Sequence, residues 1–184
     1  MLGPSDPNVT GFRRATFRSG PVRHRAQVTG PSPADSPASR EDSETAGVPH
    51  DLQRFLDAQT QTHDQALAEL RNGAKRTHWM WFVFPQIAGL GRSGMAQRFA
   101  ISGLPEARAY AAHPTLGRRL VECARALTEL DTADPVAVLG PIDAQKLQSS
   151  MTLFALAVPD EPVFRLVLDQ YFGGELDEGT TSRV

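Results

Sequence analysis

The amino-acid sequence predicts an all-α protein, a single compact domain of about seven helices with a disordered N-terminal extension. After residue 50, apolar residues recur at the three- and four-residue spacings of a buried helix face, most clearly between Leu116 and Leu130. No alternating strand pattern, Asn-Gly hairpin or internal repeat interrupts them. Prolines and glycines stand at the starts and ends of these apolar stretches, where helices accept them. These three observations favour helices over strands throughout the domain.

Composition divides the chain into three parts. Residues 1–50 hold seven of the 14 prolines and only two aromatic residues, so they cannot bury enough apolar surface to offset their chain entropy. We interpret them as a disordered extension or as upstream sequence translated from a misassigned start; a basic arm that contacts an acidic partner is the alternative. Residues 51–174 are the predicted helical domain. Residues 175–184 are predicted to be a polar, frayed tail.

The first two helices carry recognisable boundaries. Leu52, Phe55 and Leu56 mark the apolar side of the first helix. The segment 62–65 matches a capping box of the Thr-x-x-Gln kind, which predicts the start of the second helix. Gly73 is predicted to end that helix, because glycine accepts the left-handed conformation that follows many helices.

An apolar block follows, and its secondary structure stays open. Residues 78–83 fit either a strand or a buried helix. Pro85 disfavours the helical conformation at Phe84, so the element is predicted to end there. A glycine-rich loop comes next, and Ser93 is predicted to N-cap a short helix after it.

Four further helices complete the predicted domain. Pro105 and Pro114 lie where a first helical turn accepts proline. Asp143 is predicted to cap the third of these helices, and Pro162 to begin the fourth, which Gly173 closes. The inward positions of the last three helices should share one core, namely Leu120, Leu127, Met151, Phe154, Val167 and Leu168.

Charge and composition exclude several classes of protein. The formal net charge of −2 and the pI near 6.2 provide no global basic field for binding nucleic acid. A single cysteine, Cys123, rules out an internal disulfide and a Cys-based zinc site, and the histidine spacing supports no metal site. The longest apolar run, residues 79–84, is far too short to span a membrane. We therefore expect a cytoplasmic protein without a cofactor.

The block from Lys75 to Gln86 is the densest group of chemically distinctive side chains. Both tryptophans of the chain, Trp79 and Trp81, lie in it beside Lys75 and His78. An indole face next to a cation and an imidazole suits a planar, anionic ligand such as a nucleotide. The alternative is that the aromatic residues anchor the core and the cations lie at its solvated end.

The glycine-rich loop, residues 89–94, resembles a phosphate-binding loop. Its glycines allow backbone N–H groups to approach an anion, Arg92 adds a guanidinium, and Ser93 stands at a helix N-terminus. It matches neither a Walker loop nor a dinucleotide fingerprint. An ordinary glycine loop is therefore the alternative.

A second polar cluster surrounds Lys146, which with Lys75 makes up all the lysines of the chain. On a helix, Ser149 and Ser150 lie three and four residues after Lys146, so the three side chains share a face. A lysine beside a serine can form a nucleophilic pair in which the amine is the base. Serines that bond their own helix backbone are the alternative.

These clusters are predicted to converge on one cleft for an anionic small molecule, phosphorylated or nucleotide-like, which the protein binds or processes. The catalytic candidates are His78, Lys146 and Ser149. The ligand-binding candidates are Lys75, Trp79, Trp81, Gln86, Arg92, Ser93 and Ser150. The alternative function is a non-catalytic interaction module whose exposed aromatic residues meet a protein partner.

Taken in order, several segments resemble the bacterial domain-of-unknown-function family 1810. The resemblance is carried by the sequences HWMWFVFPQ at 78–86, GLGRS at 89–93 and KLQSSMTLF at 146–154, and it covers nearly all of residues 51–174. It implies an all-α fold and supplies no activity, substrate or catalytic residue. Family members are often labelled calpastatin, but calpain inhibitors are long, disordered, repeat-bearing chains. A compact helical domain without repeats does not fit that label.

Overall fold

A computed structural model describes residues 50–184 of the chain, so the predicted disordered extension lies outside the described residues, except for His50. Helices form the described part, and they run in this order: α1 Gln53–Gln59, α2 His63–Arg71, α3 Met80–Val83, α4 Gly94–Arg98, α5 Leu104–Ala112, α6 Leu116–Thr128, α7 Pro135–Leu139, α8 Pro141–Ala157, α9 Val163–Phe172 and α10 Glu178–Thr181. No strand forms between residues 50 and 184, where one isolated bridge joins Ile87 to Ile101. The all-α prediction is confirmed.

The described region contains ten helices where the sequence predicts about seven. The three additional ones, α3, α7 and α10, are only four or five residues long. Such short helices lack the repeated apolar spacing that reveals a longer helix in a sequence. The ambiguous block at 78–83 resolves into α3, and Phe84 leaves the helical conformation before Pro85 as expected.

The core lies where α9 packs against α6 and α8, while α2 and α5 cover α6 and α8 from outside. The six residues predicted to share it are all buried in one apolar cluster. The phenyl ring of Phe154 lies 5.5 Å from the ring of Tyr110 and 5.6 Å from that of Phe164. These contacts join α5, α8 and α9, so the predicted inward faces are the correct ones.

Two predicted helix caps differ from the structure. The Thr62 hydroxyl donates to the carbonyl of Ala58 in the preceding helix and does not cap α2. Asp143 lies inside α8, which begins at Pro141, and its carboxylate binds lysine side chains instead of backbone N–H groups. The carboxylate of Asp143 thus forms charge-assisted hydrogen bonds to two ammonium groups, which are stronger than bonds to backbone N–H groups.

The C-terminal segment is packed, whereas the sequence predicts a frayed polar tail. Asp177 N-caps α10 by accepting from Thr180, and the backbone N–H of Asp177 donates to the Thr152 hydroxyl at 2.9 Å. Thr180 is fully buried against α8. Polar side chains that bond to a neighbouring helix can order a segment without an apolar stripe, which is why hydropathy misses it.

None of the helices found in residues 50–184 combines the length and the apolar character that crossing a bilayer requires.

Gly117 marks the closest approach between α5 and α6. A Cβ at this position would lie 1.9 Å from the carbonyl oxygen of Ala111. We expect Gly117→Ala to lower the free energy of unfolding by about 1–3 kcal/mol, because the clash is with backbone and the helices must separate. Urea denaturation measures this loss. Gly94→Ala is the matched control, since nothing lies within 4 Å of its added Cβ; an equal loss in both variants would contradict the steric explanation.

Candidate functional site

Glu69 organises the start of the aromatic block from the middle of α2. Its carboxylate accepts hydrogen bonds from the backbone N–H groups of Arg76 and Thr77, from the Thr77 hydroxyl and from the indole N–H of Trp79. Burial alone would raise the pKa of Glu69, but these four hydrogen bonds outweigh it and lower the pKa to about 2. The segment before α3 is therefore held to α2, and Trp79 is fixed as a fully buried core residue.

The two lysines of the chain meet at one carboxylate. Lys75 Nζ lies 2.8 Å from one oxygen of Asp143, and Lys146 Nζ lies 2.7 Å from the other. The side chains of Lys75, Asp143 and Lys146 are 10%, 16% and 19% exposed. Lys75 also donates to the carbonyl of Thr77 at 2.7 Å. Two positive charges thus share one negative charge at a partly buried position. We call Lys75, Asp143, Lys146 and Trp81 the lysine cluster.

The titration of Asp143 reflects this arrangement. Burial alone would raise the pKa of its carboxyl, but hydrogen bonds from Lys146 and Lys75 outweigh burial and hold that pKa below its usual value. Asp143 is therefore ionised at neutral pH. With both lysines protonated, the cluster keeps one net positive charge.

Each lysine also lies over an indole ring. The Lys146 ammonium is 4.5 Å from the ring centroid of Trp81, and the Lys75 ammonium is 5.1 Å from that of Trp79. Trp81 is half-buried, while Trp79 is inaccessible. Four of the predicted ligand-site residues, Lys75, Trp79, Trp81 and Lys146, are therefore in direct contact or joined through Asp143.

The two serines on α8 do not form a nucleophilic pair with Lys146. The Ser149 hydroxyl donates to the carbonyl of Gln145 at 3.1 Å, and Lys146 donates to Asp143 instead. Ser150 lies one turn beyond Lys146 on the same face; its hydroxyl is buried and has no hydrogen-bond partner among the described residues. Both serines are buried residues of α8, next to the lysine cluster in sequence.

His78, Gln86, Arg92 and Ser93 are not joined to the lysine cluster by any hydrogen bond, ion pair or ring contact that the structure of residues 50–184 shows. His78, a catalytic candidate, is exposed and precedes the start of α3 at Met80. Gln86 is half-buried, and its backbone carbonyl accepts from Ile101. Arg92 and Ser93 are both exposed.

The glycine loop serves protein packing. A Cβ on Gly91 would lie 2.3 Å from the Cβ of Ala96, so glycine is needed for the loop to approach α4. The Ser93 hydroxyl accepts from the backbone N–H of Ala96 and N-caps that helix. The far side of the loop contacts the C-terminal segment, where Leu90 touches Gly179. These contacts account for Gly91 and Ser93 without an anion.

Two surface clefts lie away from the lysine cluster. A cleft of about 600 Å³ runs along the exposed face of α6, and another of about 490 Å³ borders α10. Neither includes a predicted site residue. Within residues 50–184, no three His, Cys, Asp or Glu side chains gather as metal ligands would.

Residues 49–184 match the family model described as a protein of unknown function, DUF1810. The chain belongs to the DUF1810 family. A solved structure, the conserved hypothetical protein Rv1873 from Mycobacterium tuberculosis, is 46% identical, and the match covers 73% of this chain and 96% of that one with a TM-score of 0.72. No curated protein matches the sequence.

The DUF1810 domain contains a second polar network that the sequence does not reveal. The buried amide of Gln59 donates to the carbonyl of Phe82 at 2.7 Å and to the hydroxyl of Tyr110 at 2.9 Å. Its oxygen accepts from Arg119 at 3.4 Å, and the Arg119 Nε is buried without a partner in the described region. This network ties α1, α3, α5 and α6 together, and only their packing brings these residues close.

The single cysteine of the DUF1810 domain is not a reactive thiol. Cys123 Sγ lies 4.0 Å from Nδ1 of His63, whose Nε2 lies 3.6 Å from Glu122. Although this order resembles a catalytic triad, burial raises the pKa of Cys123 to about 12, and burial also lowers the pKa of His63. Cys123 also has no accessible surface through which a reagent could reach it.

Proposed function

We propose that the DUF1810 domain binds a phosphorylated or nucleotide-like anion at the lysine cluster. The observation that carries the proposal is the sharing of one carboxylate, Asp143, by the ammonium groups of Lys75 and Lys146. Both lysines are more than four-fifths buried as side chains, so their charges are poorly solvated. A bound anion would supply the second negative charge that this position lacks.

Lys146 is the residue best able to receive the anion. Among residues 50–184, Lys75 has two acceptors, Asp143 and the carbonyl of Thr77, whereas Lys146 has one, Asp143. An ammonium carries three N–H donors, so Lys146 has two left for a ligand. Trp81 beneath it is half-buried, and a planar base could extend along the accessible part of that ring.

The arrangement supports binding more than catalysis. Ser149 donates to its own helix, and no base contacts it. His78 is exposed and forms no described contact with the lysine cluster. A proton-transfer mechanism needs donor and acceptor within hydrogen-bond reach, and none of the three catalytic candidates meets this condition with another.

A thermal-shift experiment with matched ligands tests the proposal. Nucleotides and sugar phosphates should stabilise the protein, by about 2.7 kcal/mol at 100 times the dissociation constant, whereas the corresponding nucleosides and sugars should not. Lys146→Met removes the charge but leaves the Lys75–Asp143 pair balanced, so the variant should fold. We expect it to weaken binding by about 1.5–3 kcal/mol, the loss of a charge-assisted hydrogen bond.

The matched control is Arg165→Met, which removes an exposed cation from α9. It should bind the same ligand as tightly as the unmodified protein. Equal shifts for Lys146→Met and the unmodified protein, or no response to any phosphorylated compound, would refute binding at the lysine cluster.

The alternative function, an interaction module that presents its aromatic residues, gains no support from the burial of this block. Trp79, Phe82 and Phe84 all lie in the core, and Trp81 alone is half-buried. A protein partner would find only the accessible part of Trp81 there, which is too small for an aromatic docking patch.

A further inference from the structure

The exposed face of α6 carries an ordered pattern of charge. Arg118, Glu122, Arg125 and Glu129 follow one another at spacings of four, three and four residues, so they form one stripe along the helix and onto its C-cap. The signs alternate along the stripe. The two outer residues, Arg118 and Glu129, carry opposite charges, as do the two inner residues, Glu122 and Arg125.

The pattern has a two-fold centre. The midpoint of the outer pair and the midpoint of the inner pair coincide, between Cys123 and Ala124. Cys123 and Ala124 are both fully buried and lie on the side of α6 opposite the stripe. The centre of the stripe therefore faces directly away from the core. Rotation by half a turn about this point therefore places each charge on an opposite charge.

The two charges at the C-terminal end of the stripe are unused within residues 50–184, whereas Glu122 forms ion pairs with His63, Arg71 and Arg118. Arg125 and Glu129 form no ion pair with any residue from 50 to 184, although they are four apart on one face. Arg118 is 69% exposed, and its one ion pair, with Glu122, is long at 3.9 Å. Surface pairs of this kind contribute little to stability, so the stripe is available to another molecule.

We propose that this face of α6 is the interface between two copies of the chain, with the two helices packed antiparallel across a two-fold axis. Arg118 would then pair with the partner's Glu129, and Arg125 with the partner's Glu122. Each pair occurs twice, as an isologous interface requires.

The exposed face of α6 is concave, because it borders a cleft of about 600 Å³. Two such faces can meet if side chains from each copy enter the cleft of the other. The floor of the cleft includes the half-buried side chains of Val121 and Val158 and the edge of Phe164. Arginines project from each copy, and their apolar stems can fill the cleft of the other while their guanidinium groups reach its carboxylates. The four charges span about 16 Å of helix, which sets the register of the pair.

A second copy fits this face better than an unrelated partner. A different protein would also need complementary charges at these spacings. Binding to it would not require the outer and inner pairs of α6 to share one midpoint. Because the stripe has no net charge, two copies meet without overall repulsion. The interface does not include the lysine cluster, so its test is independent of the ligand proposal.

Sedimentation velocity on the full chain tests the proposal, at protein concentrations up to about 1 mM to cover weak dimers. The unmodified protein should dimerise as concentration rises. Arg118→Glu places like charges opposite each other twice, and so does Glu129→Arg, so each variant alone should be monomeric. Mixed in equal amounts, the two variants should form a heterodimer, because their outer charges are then complementary. The double variant R118E/E129R should dimerise with itself.

Arg92→Glu makes the same change of charge on an exposed loop outside the cleft and should dimerise like the unmodified protein. Circular dichroism of each variant establishes that it is folded. A monomeric unmodified protein over the whole range would overturn the proposal, as would single variants that still dimerise or a mixture that stays monomeric.

Discussion

Replacing Glu69 by Gln is expected to lower the free energy of unfolding at pH 7 by about 3 kcal/mol. The carboxylate of Glu69 accepts four short hydrogen bonds and a longer one from Gln65 at 3.3 Å in the folded protein, and its pKa is held at about 2 instead of the ordinary 4.5. Each pKa unit corresponds to about 1.4 kcal/mol between the two protonation states. An amide keeps the shape but turns an N–H₂ group toward N–H donors. Urea denaturation of both proteins measures the difference.

The same substitution should show a defined pH dependence. Because the pKa of Glu69 is lower in the folded state than in the unfolded state, its stabilisation is complete above the unfolded value of about 4.5 and is lost as pH falls toward 2. The difference between the unmodified protein and Glu69→Gln should therefore shrink over this range. Asp143 and Glu106 also have lowered pKa values, but they are present in both proteins and cancel.

Glu175→Gln is the control for Glu69→Gln. Glu175 is exposed, and its carboxylate forms no hydrogen bond or ion pair with the part of the chain that the structure covers. Its replacement should change the free energy of unfolding by less than about 0.5 kcal/mol. If Glu69→Gln lowers the free energy of unfolding by less than about 1 kcal/mol, or by an amount independent of pH, the four hydrogen bonds stabilise the fold less than their geometry implies.

Truncating Phe154 to alanine is expected to lower the free energy of unfolding by about 3–5 kcal/mol. The ring has no accessible surface and packs against the rings of Tyr110 and Phe164, which lie on two other helices. Removing it opens a cavity that these helices cannot close without losing their own contacts. Chemical denaturation measures the loss.

Leu166→Ala provides the comparison on a neighbouring helix. Leu166 lies on α9 with about half of its surface exposed, at 52%. Its truncation removes a side chain that is already solvated, so the cost should stay below about 1 kcal/mol. If Leu166→Ala and Phe154→Ala lower the free energy of unfolding by similar amounts, burial of the Phe154 ring does not explain its contribution to stability.

Local patterns in the sequence predict the long helices well. The apolar residues of α6, α8 and α9 alternate at three- and four-residue spacings, and the six positions chosen from that spacing are all buried. The spacing works because a helix longer than two turns repeats one face several times. In α3, α7 and α10 the face occurs once, so no repeat exists to detect.

The candidate site was only partly predictable. The sequence identified Lys75, Trp79, Trp81 and Lys146, because rare residue types gathered in two short blocks. It assigned Asp143 to a helix cap, although the three-residue spacing from Asp143 to Lys146 already permitted an ion pair on one helix face. The role of Asp143 is decided by its ion pair with Lys75, which lies 68 residues earlier in the chain.

By itself, the sequence determined the helical fold, the inward faces of the long helices and the family to which the chain belongs. Each of these depends on residues within a few turns of one another, or on whole segments read in order. Only the tertiary structure decided that His78 faces solvent, that the glycine loop packs on α4, and that both lysines meet at Asp143. A charged or polar side chain bonds to whichever partner the packing of distant helices brings within reach, and that choice is not written in local spacing.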